Sequence, residues 1–185
     1  MELRVKNMVC DRCKMVVRNT FEELGFAPVL VELGVVELSK SLSDAQKSRV
    51  DAALHKFGFE LIDDKKTQTV EKIKNLIVGL VHQDSNALKV NLSDYLVSRI
   101  NQDYSALSNL FSQQNGKTIE QFYILQKIER VKELLEYGEF NLNEIADNLN
   151  YSSASHLTRQ FKKVTGQTPS EFRNSRGSRI SLNEL

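Results

Sequence analysis

The sequence contains no tryptophan, two prolines, two cysteines and three histidines. Each scarcity excludes something. Two cysteines cannot build the disulfide framework that staples small secreted domains. His55, His82 and His156 are scattered and none lies near the cysteines, so one chain cannot supply an ordinary four-ligand structural zinc site from Cys and His. No apolar stretch approaches the ~20 residues that span a bilayer. The start, Met1-Glu2-Leu3-Arg4-Val5-Lys6, has no secretory apolar segment. The reading is a cytoplasmic protein with no membrane partner. No glycine-rich phosphate loop and no nucleophile–base constellation is present, so enzyme activity is not expected. The net charge of +1 leaves no global mark of a nucleic-acid partner.

The charge is unevenly spread. Between Ser152 and Arg179 stand Arg159, Lys162, Lys163, Arg173, Arg176 and Arg179 against a single acid, Glu171. A local basic patch is the footprint phosphates require, although a solvated helix face has the same composition.

The chain divides into two halves. Residues 1–63 read as strand, helix, two strands, helix, strand. Leu3 and Val5 alternate with charged residues; Cys13, Val17, Phe21 and Leu24 recur at helical spacing and Gly25 ends the run. Val29–Glu32 and Val35–Leu38 flank Leu33-Gly34 as a hairpin. Ser43 and Gln46 form a capping box whose helix is expected to bury Val50, Ala53, Leu54 and Phe57, and Phe59–Ile62 is the last strand. The order βαββαβ is that of a ferredoxin-like sandwich. A polar linker is placed at residues 64–68. A helix follows with Val70, Ile73, Ile77, Leu80 and Val81 on one side. The fold class expected is α+β, with an all-α second half.

That second half repeats at a spacing of 50 residues: Asn91-Leu92 with Asn141-Leu142, Leu107 with Leu157, Phe111 with Phe161, Gly116 with Gly166, Thr118 with Thr168, Phe122 with Phe172. Each copy reads as helix, tight turn, helix. In the first, Asn91 opens one helix and Asp103 or Ser105 the next. In the second, Asn141 with Glu144 opens one helix, and Ser152 or Ser153 caps another with Leu157, Phe161 and Val164 inward. A long helix with Phe122, Leu125, Ile128, Val131 and Leu135 on one stripe joins them. Two such helices held ~34 Å apart can enter successive major grooves of duplex DNA, although similar helix pairs also occur in bundles that bind nothing.

Residues 69–176 resemble the DNA-binding domain of AraC/XylS-type transcription regulators. The resemblance is carried by Lys132–Leu135, Ile145-Ala146, Leu149, Tyr151–Ser153, His156-Leu157 and the run Phe161–Arg173. It implies a tandem helix-turn-helix fold, double-stranded DNA and RNA polymerase as partners, and a monomer or homodimer. Base-reading positions carried over from the family are Ser105, Ser108 and Asn109 in the first unit, and Ala154, Ser155, Thr158 and Arg159 in the second. Arginine can bind guanine bidentately and asparagine adenine. Lys162 and Lys163 suit phosphates, which position without specifying. His156 is assigned a phosphate contact or plain surface placement. The first unit matches less well, since between Asn91 and Gly116 only Arg99 is cationic. Residues 177–185 are a C-terminal tail.

Residues 1–63 resemble heavy-metal-associated domains, the fold of copper chaperones, on Met8-Val9-Cys10-Asp11-Arg12-Cys13 after a first strand and on Gly58-Phe59 before the last. Asn7 and Val9 stand where that family has Gly and Thr. The resemblance implies a metal site at Cys10 and Cys13. A helix start, Arg12 and Lys14 are expected to favour thiolates, with Asp11 opposing. Two sulfurs suit low-coordinate Cu(I); Zn(II) would need Asp11 or a second chain. A dithiol redox switch, a protein-interaction module and a domain that binds nothing are the alternatives.

Overall fold

In the computed structural model, residues 1–82 and 91–175 are described. Arg176, Arg179 and the tail 177–185 lie outside the described residues. The chain separates into two compact units, Met1–Asn75 and Leu76–Leu185. No helix among the described residues is long and apolar enough to cross a membrane.

The first unit contains strands β1 (Glu2–Lys6), β2 (Pro28–Glu32), β3 (Val35–Leu38) and β4 (Glu60–Leu61), with helices α1 (Asp11–Glu23) and α2 (Asp44–His55). The sheet order is β2-β3-β1-β4 and every neighbouring pair is antiparallel. Alternation in β1 sends Leu3 and Val5 inward, where they join Val17, Phe21, Val31, Val36, Val50 and Leu54 in one core. α1 ends in a Schellman turn: Gly25 takes φ 83°, and the N–H groups of Gly25 and Phe26 donate to the carbonyls of Glu22 and Phe21. Ser43 and Gln46 form the expected capping box.

Two expectations need correction here. Phe57 is 58% exposed. α2 stops at His55, the chain turns with Phe57 and Phe59 both donating to the Leu54 carbonyl, and Phe59 takes the core position instead. The linker assigned to residues 64–68 is mostly helix. Asp64 accepts from the N–H and the hydroxyl of Thr67 at 2.8 and 2.9 Å, and so caps α3, which runs from Lys65 to His82. Val70, Ile73, Ile77, Leu80 and Val81 are all buried along it.

The second unit has α4 (Leu92–Ile100), α5 (Tyr104–Asn115), α6 (Ile119–Tyr137), α7 (Leu142–Asn148), α8 (Ala154–Thr165) and α9 (Pro169–Ser175). The 50-residue repeat persists in three dimensions. α5 and α8 begin and end at equivalent residues, capped by Asp103 and Ser153 at one end and by left-handed Gly116 and Gly166 at the other. Phe111 meets Phe122 edge-on at 5.6 Å, and Phe161 meets Phe172 edge-on at 5.6 Å. The tight turns differ slightly. The left-handed asparagine is Asn101 in the first copy and Asn150 in the second, one position out of the repeat. α4 is longer than α7, and the turn before α5 shorter than the one before α8, by two residues.

The core of the second copy is continuous with α6: Ile128, Val131, Leu134, Leu135, Ile145, Leu157, Phe161 and Phe172 form one cluster, to which α3 adds Val81. Val164, expected to be inward, is 38% exposed. It lines a groove with Ile124 and Leu125.

Candidate nucleic-acid interface and dithiol site

Each second helix anchors one face and offers the other. In α8, Leu157 and Phe161 are fully buried, so helical periodicity turns positions 155, 158, 159 and 162 away from the core. Ser155, Arg159, Lys162 and Lys163 are exposed, and Ala154 and Thr158 are half-buried. Ala154 also packs on the core cluster. The Thr158 hydroxyl donates to the Ala154 carbonyl at 2.8 Å, which leaves its oxygen as an acceptor. Ser153, not Ser152, caps the helix through the His156 N–H. Ser152 instead contacts His156 Nδ1 at 3.1 Å, and the His156 ring stands edge-on to Tyr151 at 5.4 Å. His156 thus braces the turn from an exposed position.

In α5, Leu107 and Phe111 are buried in the same way, while Ser105 and Asn109 are exposed and Ser108 is half-buried. Asp103, rather than Ser105, is the cap. Its carboxylate accepts from the Ser105 hydroxyl and from the N–H groups of Ser105 and Ala106, which hold its pKa below the usual range. Tyr104 donates its phenol to Glu120; burial and that carboxylate push the phenol up, and the hydroxyl pulls the carboxylate down. Two ionised acids therefore flank α5. Tyr104 is absent from the sequence-based assignment, yet it stands 50 residues before Ala154. Applying the repeat to every assigned position finds it.

A second feature is not anticipated by the sequence. The middle of α6 buries polar groups: Gln126, Lys127, Glu129 and Lys132. Lys132 donates to Glu129 at 2.6 Å. The Lys127 ammonium lies 3.7 Å from the centre of the Tyr151 ring and 5.3 Å from that of Tyr123. Burial lowers its pKa to about 8 and raises that of Tyr123 to about 12. Gln126, fully buried, makes no hydrogen bond through its side-chain amide among the described residues. On a helical stripe such residues count as polar, and polar residues are expected to face water.

In the first unit, Cys10 is the N-cap residue of α1 and Cys13 sits in its first turn. The two sulfurs are 3.2 Å apart and both residues are partly exposed. The loop before them turns at Asn7, whose φ of 68° is one that asparagine tolerates better than most residues. Met8 is fully buried in the core. The expected help from Lys14 toward thiolate is diverted, because its ammonium pairs with Glu32 at 2.8 Å and Asp11 at 3.2 Å. Burial outweighs the backbone hydrogen bond from Val9 and pushes the Cys13 thiol up.

Residues 96–175 match the family model of the helix-turn-helix domain. Among similar proteins, an uncharacterized transcriptional regulatory protein, YesN, of Bacillus subtilis is 30% identical over 110 residues, 58% of this chain and 29% of that one. The arabinose operon regulatory protein of Salmonella typhimurium is 36% identical over 69 residues, 37% of this chain and 25% of that one. The chain thus spans under a third of the length of these relatives. Both are named as regulatory proteins. The solved C-terminal domain of AraT, a response regulator from Geobacillus stearothermophilus, shares the fold with a TM-score of 0.52 at 21% identity, over 64% of this chain and 92% of that one. The segment from residue 96 to residue 175 accordingly matches a helix-turn-helix domain.

Proposed function

We propose that the chain is a sequence-specific transcription regulator that binds double-stranded DNA through α5 and α8, and whose first unit binds a soft metal ion, Cu(I), to modulate that binding. The observation that carries the DNA reading is the duplicated reading helix, held by equivalent caps and aromatic pairs 50 residues apart. Arg159 and Thr158 would read bases from α8, with Ala154 and Ser155 beside them; Ser105, Ser108 and Asn109 would do so from α5. Lys162 and Lys163 would take phosphates. RNA polymerase as a protein partner and a monomeric or homodimeric state belong to the same proposal.

The test is selection of duplexes from a random-sequence pool by the full chain at one stated salt concentration, because phosphate contacts make affinity steeply salt-dependent. A recurring site with two half-sites about 10 base pairs apart is expected. Recovery of unselected sequence would sink the reading.

The metal reading rests on donor chemistry. Cys10 and Cys13 offer two soft sulfurs from one helical turn, partly exposed and 3.2 Å apart. Among the described residues no group of three or more His, Cys, Asp or Glu is placed to hold a metal ion, and the Met8 sulfur is packed in the core. That set fits low-coordinate Cu(I); Zn(II) would need donors from a second copy. Bound there, the ion would supply charge and a fixed S–S geometry, and Cys10 and Cys13 would hold it at the start of α1. Anaerobic titration should show one Cu(I) per chain and a changed affinity for the selected duplex, and Cys10→Ser with Cys13→Ser should remove both. The sulfur contact also favours a second reading, a dithiol redox switch or protein-docking unit without metal, for which titration would show no stoichiometric uptake.

A further inference from the structure

Glu71 is a buried carboxylate of the first unit. It lies on α3 at 5% exposure. Its charge meets Lys74 Nζ at 3.0 Å, and its other oxygen accepts from the backbone N–H of Asn7 at 3.5 Å. Buried ion pairs of this kind are often replaced by apolar residues with no loss of stability, so stability is a poor reason to keep one. Asn7 is the left-handed residue of the loop that passes through Met8 and Val9 to Cys10.

Glu71 does not act alone on that helix. Gln68 donates to the Ile62 carbonyl at 2.8 Å. Asn75 lies so close to Gly34 that a Cβ there would meet its amide nitrogen at 2.1 Å, and the Gly34 carbonyl accepts from Val5 at 3.1 Å. Positions 68, 71 and 75 follow helical spacing and so form one polar seam. Gln68 and Glu71 hydrogen-bond Ile62, just after β4, and Asn7 of the thiol loop, while Asn75 packs beside Gly34 of the hairpin. The same helix continues without a break to His82 and gives Val81 to the core of the second copy.

We propose that Glu71 is a positioning residue that ties helix α3 to the Asn7–Cys10 loop, so that ligand binding at the thiols is registered by α3. Met8 is locked in the core, so the loop has little freedom except at Asn7 and at the cysteines themselves. The Asn7 hydrogen bond, at 3.5 Å, is long enough to tighten or break when the sulfurs are drawn together or apart.

The inference rests on Cu(I) binding by Cys10 and Cys13, so the experiment measures uptake and response separately. The full chain, Glu71→Gln and Cys10→Ser/Cys13→Ser are titrated anaerobically with Cu(I), and amide hydrogen exchange of α3 is followed before and after one equivalent. In the parent chain, exchange of α3 amides should change by about fivefold or more, the lower end of typical coupling between sites. Glu71→Gln should bind Cu(I) with unchanged stoichiometry and lose that change. A Glu71→Gln chain that responds like the parent overturns the coupling alone. A parent chain that takes up no Cu(I) overturns the metal reading and the coupling with it. If Glu71→Gln fails to fold, Glu71→Gln/Lys74→Met removes both charges at similar volume and is held to the same outcomes.

Discussion

In the first helix-turn-helix copy the second helix, α5, is capped by Asp103 and carries Ser112 and Gln113; in the second copy its counterpart, α8, is capped by Ser153 and carries Lys162 and Lys163 at the same positions. Tyr104 hydrogen-bonds Glu120 in the first; the second has Ala154 and Ser170 there. The buried side of the two helices is the same pair, Leu107 with Phe111 and Leu157 with Phe161. Duplication has kept what packs and changed what faces outward. The two copies should therefore respond alike to core substitutions and differently to surface ones.

The largest effect tests the first half of that statement. Phe161→Ala and Phe111→Ala should each cost about 3–5 kcal/mol in urea unfolding, the usual range for a buried phenylalanine. Phe161→Ala should be the worse of the two, because its ring lies in the larger cluster shared with α6. A loss below about 1 kcal/mol at either position, well under the range for such truncations, would break the equivalence of the cores.

Arg159→Ala should cost about 1–3 kcal/mol in affinity for the selected duplex and relax sequence preference at one position. Asn109→Ala should cost less, because two acids flank its helix. If Asn109→Ala destroys specificity while Arg159→Ala leaves it intact, the division of labour is reversed.

How much of this the residues disclose depends on the periodicity each feature leaves. The repeat, the capping residues and the stripe of α3 follow from spacing that one chain displays. Phe57 is misplaced because helical spacing continues past His55 in the sequence, whereas the backbone closes a local turn there around left-handed Gly58, with Gly58 and Phe59 donating to the carbonyls of His55 and Leu54. Residues 64–68 look like a linker because they are polar, yet an aspartate followed by a threonine three residues on is also a helix start. Glu71, Gln126 and Lys127 leave no sign at all. A buried polar residue is legible only through its partners, and some of those lie far along the chain, as Asn7 does from Glu71 and Tyr151 from Lys127. Of the interface, the exposed positions of α8 are readable from the family pattern, while Tyr104 needs the repeat to be carried through.

Charge exchange between the copies gives a smaller effect. Lys162→Ala/Lys163→Ala should lower the slope of log affinity against log salt by about 2, one for each phosphate that is no longer neutralised. The reciprocal change, Ser112→Lys/Gln113→Lys, should steepen it by less, since Asp103 and Glu120 remain nearby. An unchanged slope in both variants would mean that neither helix presents this face to DNA.

The smallest effect concerns Lys127, which has no counterpart in the first copy. Fifty residues earlier stands Ile77, fully buried on α3. The ammonium of Lys127 keeps partial compensation from Tyr151, but burial still lowers its pKa from 10.5 to about 8. The unfolded chain, with the ordinary pKa, then binds more protons than the folded one between about pH 8 and 10.5. Stability attributable to this group must therefore rise with pH across that window, by at most about 1.4 kcal/mol per pH unit. The buried phenols work in the opposite sense above about pH 10, because Tyr123 and Tyr151 are both raised and the folded state then holds the extra protons. The interval of about pH 8 to 9.5 lies below the ordinary range of tyrosine titration, but the raised Cys13 thiol opposes Lys127 there, so the slope is compared between parent and variant in a Cys13→Ser background. Lys127→Met should flatten the slope of unfolding free energy there and raise stability at neutral pH by about 1 kcal/mol, the relief of desolvation less the cation–π attraction to the ring. A Lys127→Met chain that keeps the parent slope would place the titration elsewhere, and one that is destabilised at neutral pH would show that the attraction to the Tyr151 ring outweighs the burial.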